Sequence, residues 1–209
     1  MEAEVSAAER ARRIRVILFD VDGVLTDGSI WLFPAPAAAA RTTTEHAQAM
    51  EGHGGYAMNS ANLLEAKGFH AHDGSGVSLA RLGGLECGIL TKRISEAVAL
   101  RARDLRLQYV FQGAANKMAA VRQILEAEQI TLEQLAYLGD DVIDLPVMRV
   151  CGLAMVVADA RPQVRAAAHW VAAKNGGRGA ARDAIEFILE AQGKLDAVLE
   201  AYIEERSRL

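Results

Sequence analysis

Two aspartates directly follow a strand-like run near the start of the chain. Residues 14–19, IRVILF, are β-branched and aromatic, and they lead into Asp20, Asp22 and Gly23. If the chain stays extended, the two carboxylates point the same way and lie about 6–7 Å apart. One can act as a nucleophile while the other handles protons, and Gly23 lets the backbone turn sharply beside a ligand. The alternative is a plain acidic turn, since Asp and Gly are common after strands.

A second acidic group, formed by Asp140, Asp141 and Asp144, follows the strand-like residues 135–138, LAYL. Carboxylates this close repel one another unless a cation compensates, and sites rich in carboxylate oxygens suit Mg²⁺. The segment therefore predicts a site for a hard divalent metal ion. Capping of a helix N-terminus is the alternative, and it explains Asp141, which we leave out of the metal-ligand set.

Two further residues could hold phosphate. Thr91 follows a strand-like run and is predicted to open a helix, where its hydroxyl and backbone N–H groups can bind phosphate oxygens. Lys117 is also predicted to open a helix, and its ammonium group can neutralise an anion. Each residue has an ordinary alternative, because Thr is common at helix starts and most lysines are solvated.

The elements that must position these residues alternate along the chain. Further strand candidates are residues 85–90, 108–111, 135–138, 153–157 and 169–172, and helical patterns cover 75–83, 94–104, 116–129, 142–149 and 161–168. This alternation predicts an α/β fold with a mostly parallel sheet and helices on both faces. Ligands of such sheets bind beyond the carboxyl ends of the strands, where the candidate residues lie.

Two segments depart from the alternation. Residues 34–62 are rich in Ala, Gly and small polar residues, and we predict an insertion or mobile loop within a single domain covering 1–209. Residues 180–208 have apolar positions at helical spacing, with Gly193 predicted to separate two helices.

Composition excludes several classes of protein. In the 209 residues, no apolar run approaches the roughly 20 needed to span a membrane. The N-terminal residues lack the apolar core of a secretory signal, which predicts a cytoplasmic location. Cys87 and Cys151 form no metal-binding or disulfide pattern and are predicted to be buried thiols. The net charge of −4 gives no general attraction to nucleic acid, so an anionic ligand needs a local site.

The order of the motifs resembles a known enzyme superfamily. Asp-x-Asp, Thr, Lys and Gly-Asp-x-x-x-Asp, in that order, are similar to the motif series of the haloacid dehalogenase (HAD)-like phosphatases. The stretches DVDGVLTDG, KGFHAHDGSGV, QGAANK, YLGDDVIDLPVM, GGRGAARD and AQGKLD narrow the resemblance to the 3-deoxy-D-manno-octulosonate 8-phosphate phosphatase family. The resemblance implies a Rossmann-like sheet with a small β-hairpin flap and no large cap domain. It also implies a cytoplasmic, Mg²⁺-dependent phosphoric monoester hydrolase of lipopolysaccharide biosynthesis.

The resemblance assigns roles to the candidate residues. Asp20 would attack phosphorus and form an aspartyl-phosphate, and Asp22 would protonate the leaving oxygen and then activate water. Because a carboxylate and a phosphate dianion repel each other, a metal ion and a lysine are needed before attack becomes feasible. The metal would be held by the carboxylates of Asp20 and Asp140 and the backbone carbonyl of Asp22, with Asp144 in support, and the phosphate by Thr91 and Lys117.

The resemblance also implies a homotetramer in which a β-hairpin and C-terminal residues of neighbouring subunits help to close the site. The segments SIWLF (29–33) and KGFHAHDG (67–74) would be the flap strands, so that His70 and His72 share one face of a strand. Candidate substrate contacts are Arg178, Arg93 and His72. An ordinary solvated turn is the alternative for the GGRG loop that carries Arg178.

Three departures from the family pattern concern the substrate. Lys92 stands where the family usually has Gly, His72 stands where it has Arg, and residues 34–62 interrupt the hairpin. A largely neutral imidazole would hold a sugar carboxylate more weakly than a guanidinium. The leading hypothesis is hydrolysis of 3-deoxy-D-manno-octulosonate 8-phosphate, because all the catalytic residue types are present in the required order. The departures leave a related ester, such as a nonulosonate 9-phosphate, as the alternative. A non-catalytic oligomerisation or regulatory module is disfavoured, because Asp20 and Asp22 are both present.

Overall fold

A six-stranded parallel sheet forms the centre of the protein. The computed structural model describes residues 5–34, the backbone of 56–57, and residues 63–207. The strands of the central sheet are β1 (Val16–Phe19), β5 (Glu86–Leu90), β7 (Tyr109–Phe111), β8 (Leu135–Gly139), β9 (Leu153–Val156) and β10 (Trp170–Val171). Their order across the sheet is β10-β9-β8-β1-β5-β7, and every neighbouring pair is parallel. The predicted α/β fold with a mostly parallel sheet is confirmed.

Eight helices precede, connect or follow the strands in the described residues. They are α1 (Ala7–Ala11), α2 (Ala71–Leu82), α3 (Glu96–Asp104), α4 (Lys117–Glu128), α5 (Leu145–Met148), α6 (Pro162–Arg165), α7 (Ala180–Ala191) and α8 (Leu195–Ser207), with short 3₁₀ turns at Leu132–Gln134 and Val142–Asp144. Within the described ranges, none of these helices has the length and apolar character needed to cross a bilayer. Gly193, with φ of +67°, lies between α7 and α8, so the predicted break between the last two helices is confirmed.

The strand order reverses between β1 and β8. From β1 the chain proceeds through β5 and β7 on one side, and from β8 it proceeds through β9 and β10 on the other. Right-handed crossovers then place α2 and α3 on one face of the sheet and α4, α5 and α6 on the opposite face. Such a reversal leaves a crevice beyond the carboxyl ends of the two strands, which is where α/β proteins bind ligands.

The core explains why β1 and β8 carry continuous apolar runs. All four residues of β1 and all five of β8 are buried, as expected for central strands covered on both faces. On one face α2 packs against α7, and the Asp73 carboxylate of α2 accepts a hydrogen bond of 3.0 Å from the Arg182 backbone N–H in the first turn of α7. The loops that follow β1 and β8 are thus attached to the buried core of the protein.

Two small strand pairs lie apart from the central sheet. Strand β2 (Trp31–Pro34) pairs antiparallel with β4 (Leu63–Ala66), and β3 (Tyr56–Ala57) pairs parallel with β6 (Arg93–Ile94). We call β2 and β4 the flap hairpin. A small hairpin was predicted and is confirmed, but most of the predicted insertion at 34–62 lies outside the described residues, and the single-domain prediction remains a prediction.

The predicted second flap strand was wrong. The strand covers Leu63–Ala66 rather than 67–74, because the chain turns into α2 at Ala71. His70 caps this helix, and its Nδ1 atom accepts a hydrogen bond from the backbone N–H of His72. His70 and His72 therefore do not share the face of a strand; they are neighbours at a helix start, with ring centroids 4.8 Å apart.

The predicted helix start at Thr91 was also wrong. After Thr91 the chain forms the short strand β6 by pairing with β3, and α3 begins only at Glu96. Thr91 is nevertheless buried at the carboxyl end of β5, beside β1. Its backbone N–H donates to the Phe111 carbonyl at 2.9 Å, so this residue is held by the sheet rather than by a helix.

Candidate active site

Four charged side chains meet beyond the carboxyl ends of β1 and β8. Phe19 of β1 is in register with Leu138 of β8, so the loops that follow these two strands leave the sheet side by side. One carboxylate oxygen from each of Asp20, Asp140 and Asp144 lies within 4.8 Å of the others. The Nζ atom of Lys117 is 2.9 Å from an Asp20 oxygen and 2.6 Å from an Asp144 oxygen. We call these three carboxylates and Lys117 the carboxylate cluster.

Asp144 organises the cluster. It is fully buried, and one of its oxygens accepts hydrogen bonds from Lys117 Nζ at 2.6 Å and from the Tyr137 hydroxyl at 2.7 Å. Its other oxygen accepts from the backbone N–H groups of Asp140 at 2.9 Å and Asp141 at 3.2 Å. Asp144 thus holds both the backbone at Asp140 and the lysine, and its predicted supporting role stays a prediction.

Lys117 is buried rather than solvated. It is the first residue of α4, and its Nζ atom also lies 2.8 Å from the Tyr137 hydroxyl, so each of its three N–H donors has a partner in the protein. Burial alone would lower the pKa of Lys117, but the carboxylates of Asp20 and Asp144 raise it above its usual value. Lys117 therefore carries a permanent positive charge between two carboxylates.

The cluster holds more negative charge than one lysine neutralises. Burial raises the pKa of Asp20 to about 6, against the opposing effect of Lys117. Burial, together with the neighbouring charges of Asp20 and Asp144, raises the pKa of Asp140 to about 8. Both shifts show that the ionised forms lack compensation, and a divalent cation would supply it.

The residues present fit such a cation. The Oδ1 atom of Asp140 is buried and has no hydrogen-bond partner among the described residues, as expected for a ligand atom kept for a metal. Gly23, with φ of +90°, lies directly against the Asp140 carboxylate, where a Cβ atom would overlap the carboxylate oxygens. Oxygen ligands without nitrogen or sulfur are the donor set that Mg²⁺ prefers.

Asp22 faces a different set of groups. Its carboxylate pairs with Lys67, just after β4, and lies 3.6 Å from the Arg93 guanidinium of β6. Val21, between the two aspartates, is fully buried. The two carboxylates of the Asp-x-Asp motif therefore have different partners: Asp20 joins the carboxylate cluster, and Asp22 joins the base of the flap hairpin.

Arg178 and His72 lie outside the carboxylate cluster. The loop that carries Arg178 packs on the loop after β1, where the Gly177 N–H donates to the Val24 carbonyl at 2.8 Å. The Arg178 guanidinium is largely exposed and 3.8 Å from the Asp27 carboxylate. Among the described residues, no hydrogen bond or ion pair joins the His72 side chain to the carboxylate cluster.

Comparison with known proteins places this geometry in a family. Residues 92–183 match the family model of haloacid dehalogenase-like hydrolases. The chain is 37% identical over 196 residues to 3-deoxy-D-manno-octulosonate 8-phosphate phosphatase KdsC of Escherichia coli (strain B / BL21-DE3), covering 94% of this chain and 89% of that protein. The chain belongs to the 3-deoxy-D-manno-octulosonate 8-phosphate phosphatase family.

Solved structures of this family have the same fold. The phosphatase from Yersinia pestis is 34% identical, with a TM-score of 0.75 over 91% of this chain and 88% of that chain. The phosphatase from Moraxella catarrhalis, in complex with magnesium, phosphate and KDO, is 30% identical, with a TM-score of 0.77 over 94% of this chain and 97% of that chain. The resemblance inferred from the motifs is therefore confirmed.

Sequence reasoning missed three residues of the site. Tyr137 bonds both Lys117 and Asp144, and the signal for it was a phenol inside a fully buried strand, where its hydroxyl needs a partner. Lys67 and Glu65 lie at the base of the flap hairpin and contact Asp22 and Arg93. Nothing in the sequence around Glu65, within β4, or Lys67, just after it, indicated these ion pairs, because the partners are distant along the chain.

Proposed function

We propose that this protein hydrolyses 3-deoxy-D-manno-octulosonate 8-phosphate to the free sugar acid and phosphate, with Mg²⁺ as cofactor. The observation that carries the proposal is the carboxylate cluster, which lies where the strand order reverses between β1 and β8. The chain that carries it is 37% identical to the 3-deoxy-D-manno-octulosonate 8-phosphate phosphatase of Escherichia coli. The relative from Moraxella catarrhalis binds magnesium, phosphate and KDO. The protein is thus a phosphoric monoester hydrolase whose substrate is an acidic sugar phosphate.

In the proposed reaction Asp20 is the nucleophile. An oxygen of its carboxylate forms a bond to phosphorus while the bond between phosphorus and the sugar oxygen breaks, which gives an aspartyl-phosphate. Asp22 donates a proton to the leaving sugar oxygen and then takes a proton from the water that hydrolyses the aspartyl-phosphate. Mg²⁺, when bound by the carboxylates of Asp20 and Asp140 and the backbone carbonyl of Asp22, would neutralise phosphate charge that otherwise repels the nucleophile.

Lys117 and Thr91 are the proposed phosphate-binding residues. Lys117 lies 2.9 Å from Asp20, so its ammonium group can be shared between the nucleophile and the phosphate oxygens. Asp144 holds Lys117 in place while its ammonium group contacts the phosphate, since the contact of 2.6 Å between Asp144 and Lys117 is buried. Thr91, at the end of the strand next to β1, offers a hydroxyl for the transferred group.

Arg178, Arg93 and His72 are the proposed contacts to the sugar acid. Arg178 is supported by its exposed guanidinium beside the loop that follows β1, and Arg93 by its place next to Asp22. His72 lies in the first turn of α2, where an exposed imidazole can bind a carboxylate only weakly when neutral.

The assembly is proposed to be a homotetramer in the cytoplasm, built from one HAD-like domain per chain with the insertion at about 34–62. The support is the flap hairpin, on which Trp31 is 58% exposed and Phe33 49% exposed. Large apolar side chains on one hairpin favour burial against another subunit. Sedimentation velocity tests this assembly, and a single subunit at working concentration would contradict it.

Phosphate release from purified protein tests the activity. We expect release from 3-deoxy-D-manno-octulosonate 8-phosphate that EDTA abolishes and added Mg²⁺ restores. The ratio of kcat/KM for this ester to that for a nonulosonate 9-phosphate decides the substrate, because discrimination lies in transition-state contacts. Absence of metal-dependent release from any phosphate ester would contradict the enzyme function.

A further inference from the structure

Four charged side chains form a closed ring at the base of the flap hairpin. Lys67 pairs with one carboxylate oxygen of Asp22, and its Nζ atom lies 3.3 Å from an oxygen of Glu65. Arg93 completes the ring: its guanidinium lies 2.9 Å from the other oxygen of Glu65 and 3.6 Å from the second oxygen of Asp22. We call these four residues the flap ring. Both oxygens of the Asp22 carboxylate therefore face a cation.

The ring is shielded from solvent. The Lys67 side chain is fully buried, those of Glu65 and Arg93 are 13% and 12% exposed, and that of Asp22 is 23% exposed. A buried ammonium group cannot leave its anionic partners without a large loss of stabilisation, whereas an exposed pair breaks easily. Because Lys67 directly follows β4, the ring joins the flap hairpin to the carboxyl group that follows β1.

We propose that Lys67, held by Glu65, is a positioning residue for Asp22. It fixes the Asp22 carboxyl group in the orientation that delivers a proton to the leaving oxygen as the bond from that oxygen to phosphorus breaks. The carboxylate that remains after this transfer still faces the Lys67 ammonium group, which compensates the new negative charge. The inference rests on the proposed function, because it assigns a partner to the proposed proton donor.

A comparison of leaving groups tests this role. An ester with a poor leaving group needs the proton, and p-nitrophenyl phosphate, whose leaving group is a good one, hardly needs it. The experiment measures kcat/KM of wild type and Lys67→Met for p-nitrophenyl phosphate, phenyl phosphate and 3-deoxy-D-manno-octulosonate 8-phosphate. The value of kcat/KM depends only on the steps up to formation of the aspartyl-phosphate. The later hydrolysis of this intermediate therefore does not affect it.

We expect the loss in Lys67→Met to grow as the leaving group becomes poorer. The factor for phenyl phosphate should exceed that for p-nitrophenyl phosphate by about tenfold. Because the two aryl esters present nearly the same contacts, only the demand for a proton differs between them. Lys67→Arg, which keeps the charge, should recover most of the activity on the poorer ester.

Lys194→Met is the matched control. Lys194 donates to the Gly83 carbonyl at 2.9 Å, outside the flap ring, and its loss should leave the ratio between the two aryl esters unchanged. If Lys67→Met fails to fold, Glu65→Gln takes its place; it removes the second anionic partner of Lys67 and should show the same trend at smaller size.

Three results would overturn the inference. They are an equal loss for all three esters, a loss confined to the sugar ester, and no loss. An equal loss means a structural role, and a loss confined to the sugar ester means that Lys67 contacts the sugar itself. Failure of the proposed function is distinguishable, because wild type itself would then release no phosphate from 3-deoxy-D-manno-octulosonate 8-phosphate, whatever the variants do on the aryl esters.

Discussion

The carboxylate cluster is largely buried at the carboxyl edge of the parallel sheet, whereas the flap hairpin turns its large apolar side chains to solvent. Asp144 and Lys117 are 0% and 3% exposed, and Trp31 and Leu32 are 58% and 46% exposed. The groups proposed for phosphoryl transfer are therefore fixed by the same core that determines the fold. The groups of the flap ring lie instead at the base of a hairpin whose large apolar side chains are about half exposed.

The difference shows how one fold can keep its chemistry while changing its substrate. A substitution in the cluster disturbs buried charges and their hydrogen bonds, so it affects folding and reaction together. A substitution of an exposed apolar residue of the hairpin, such as Trp31, removes no buried contact of the core, so we expect it to leave folding largely unchanged. In the described residues the two regions meet at the Asp-x-Asp motif, whose first carboxylate belongs to the cluster and whose second belongs to the flap ring.

The largest expected effect is that of Asp20→Asn. An amide of the same shape cannot attack phosphorus, so kcat should fall at least about 10³-fold, or about 4 kcal/mol in transition-state stabilisation. Phosphate release with saturating Mg²⁺ measures this loss. Asp141→Asn is the control, because Asp141 is exposed, caps its own turn and lies outside the carboxylate cluster. Comparable activity in Asp20→Asn and wild type would remove Asp20 as the nucleophile.

Lys117→Met tests the claim that the cluster supports the fold as well as the reaction. The substitution leaves Asp20 and Asp144 buried without their cation, so in EDTA the free energy of unfolding should fall by about 3 kcal/mol. Urea denaturation measures it. Lys174→Met is the matched control: Lys174 pairs with Asp183 at 3.0 Å on the surface, and its loss should cost less than about 1 kcal/mol. An equal loss in the free energy of unfolding for both variants would mean that the buried position of Lys117 does not increase its contribution to stability.

Asp140→Asn should change stability in opposite directions with and without metal. Because burial and the other carboxylates raise the pKa of Asp140 to about 8, folding of the metal-free protein at pH 7 requires protonation of this carboxyl group, which is ionised in the unfolded chain. A neutral amide avoids that cost, so the substitution should stabilise the metal-free protein by about 2 °C or more in Tm. The same substitution should remove most of the stabilisation that Mg²⁺ gives wild type, since it removes a ligand.

Thermal unfolding with EDTA or with Mg²⁺ measures both effects. Asp141→Asn again serves as the control, and it should keep the wild-type response to Mg²⁺. A full response to Mg²⁺ in Asp140→Asn would place the metal ion elsewhere.

The central sheet could be predicted from the sequence because its strands are short, apolar and buried on both faces. Residues 135–138 and 153–157 each matched an observed strand to within one or two residues. The positions of Asp20 and Asp140 followed from the strands predicted at 14–19 and 135–138, since neighbouring parallel strands end at the same edge of the sheet.

The errors arose where partners are distant along the chain. The start of α2 was predicted at residue 75 instead of Ala71, because Gly74 and Gly76 lower helix propensity. Gly76 is needed because a Cβ atom there would come within 3.0 Å of the Arg182 backbone in α7. The flap ring was not predicted, because Lys67 lies 45 residues from Asp22 and Arg93 lies 28 residues from Glu65. No local pattern contains contacts of this separation.

The smallest expected effect is that of Leu32→Ala, which compares the two regions directly when the same substitution is also made in the core. Leu18→Ala in β1 removes a fully buried side chain and should cost about 3 kcal/mol in the free energy of unfolding. Leu32→Ala in the flap hairpin removes a side chain that is already 46% exposed, and in single subunits it should cost less than about 0.5 kcal/mol. Urea denaturation at protein concentrations where sedimentation shows single subunits measures both. A cost for Leu32→Ala that appears only at higher concentration would show that another subunit covers the hairpin, whereas an equal cost in single subunits would mean that the hairpin is part of the core.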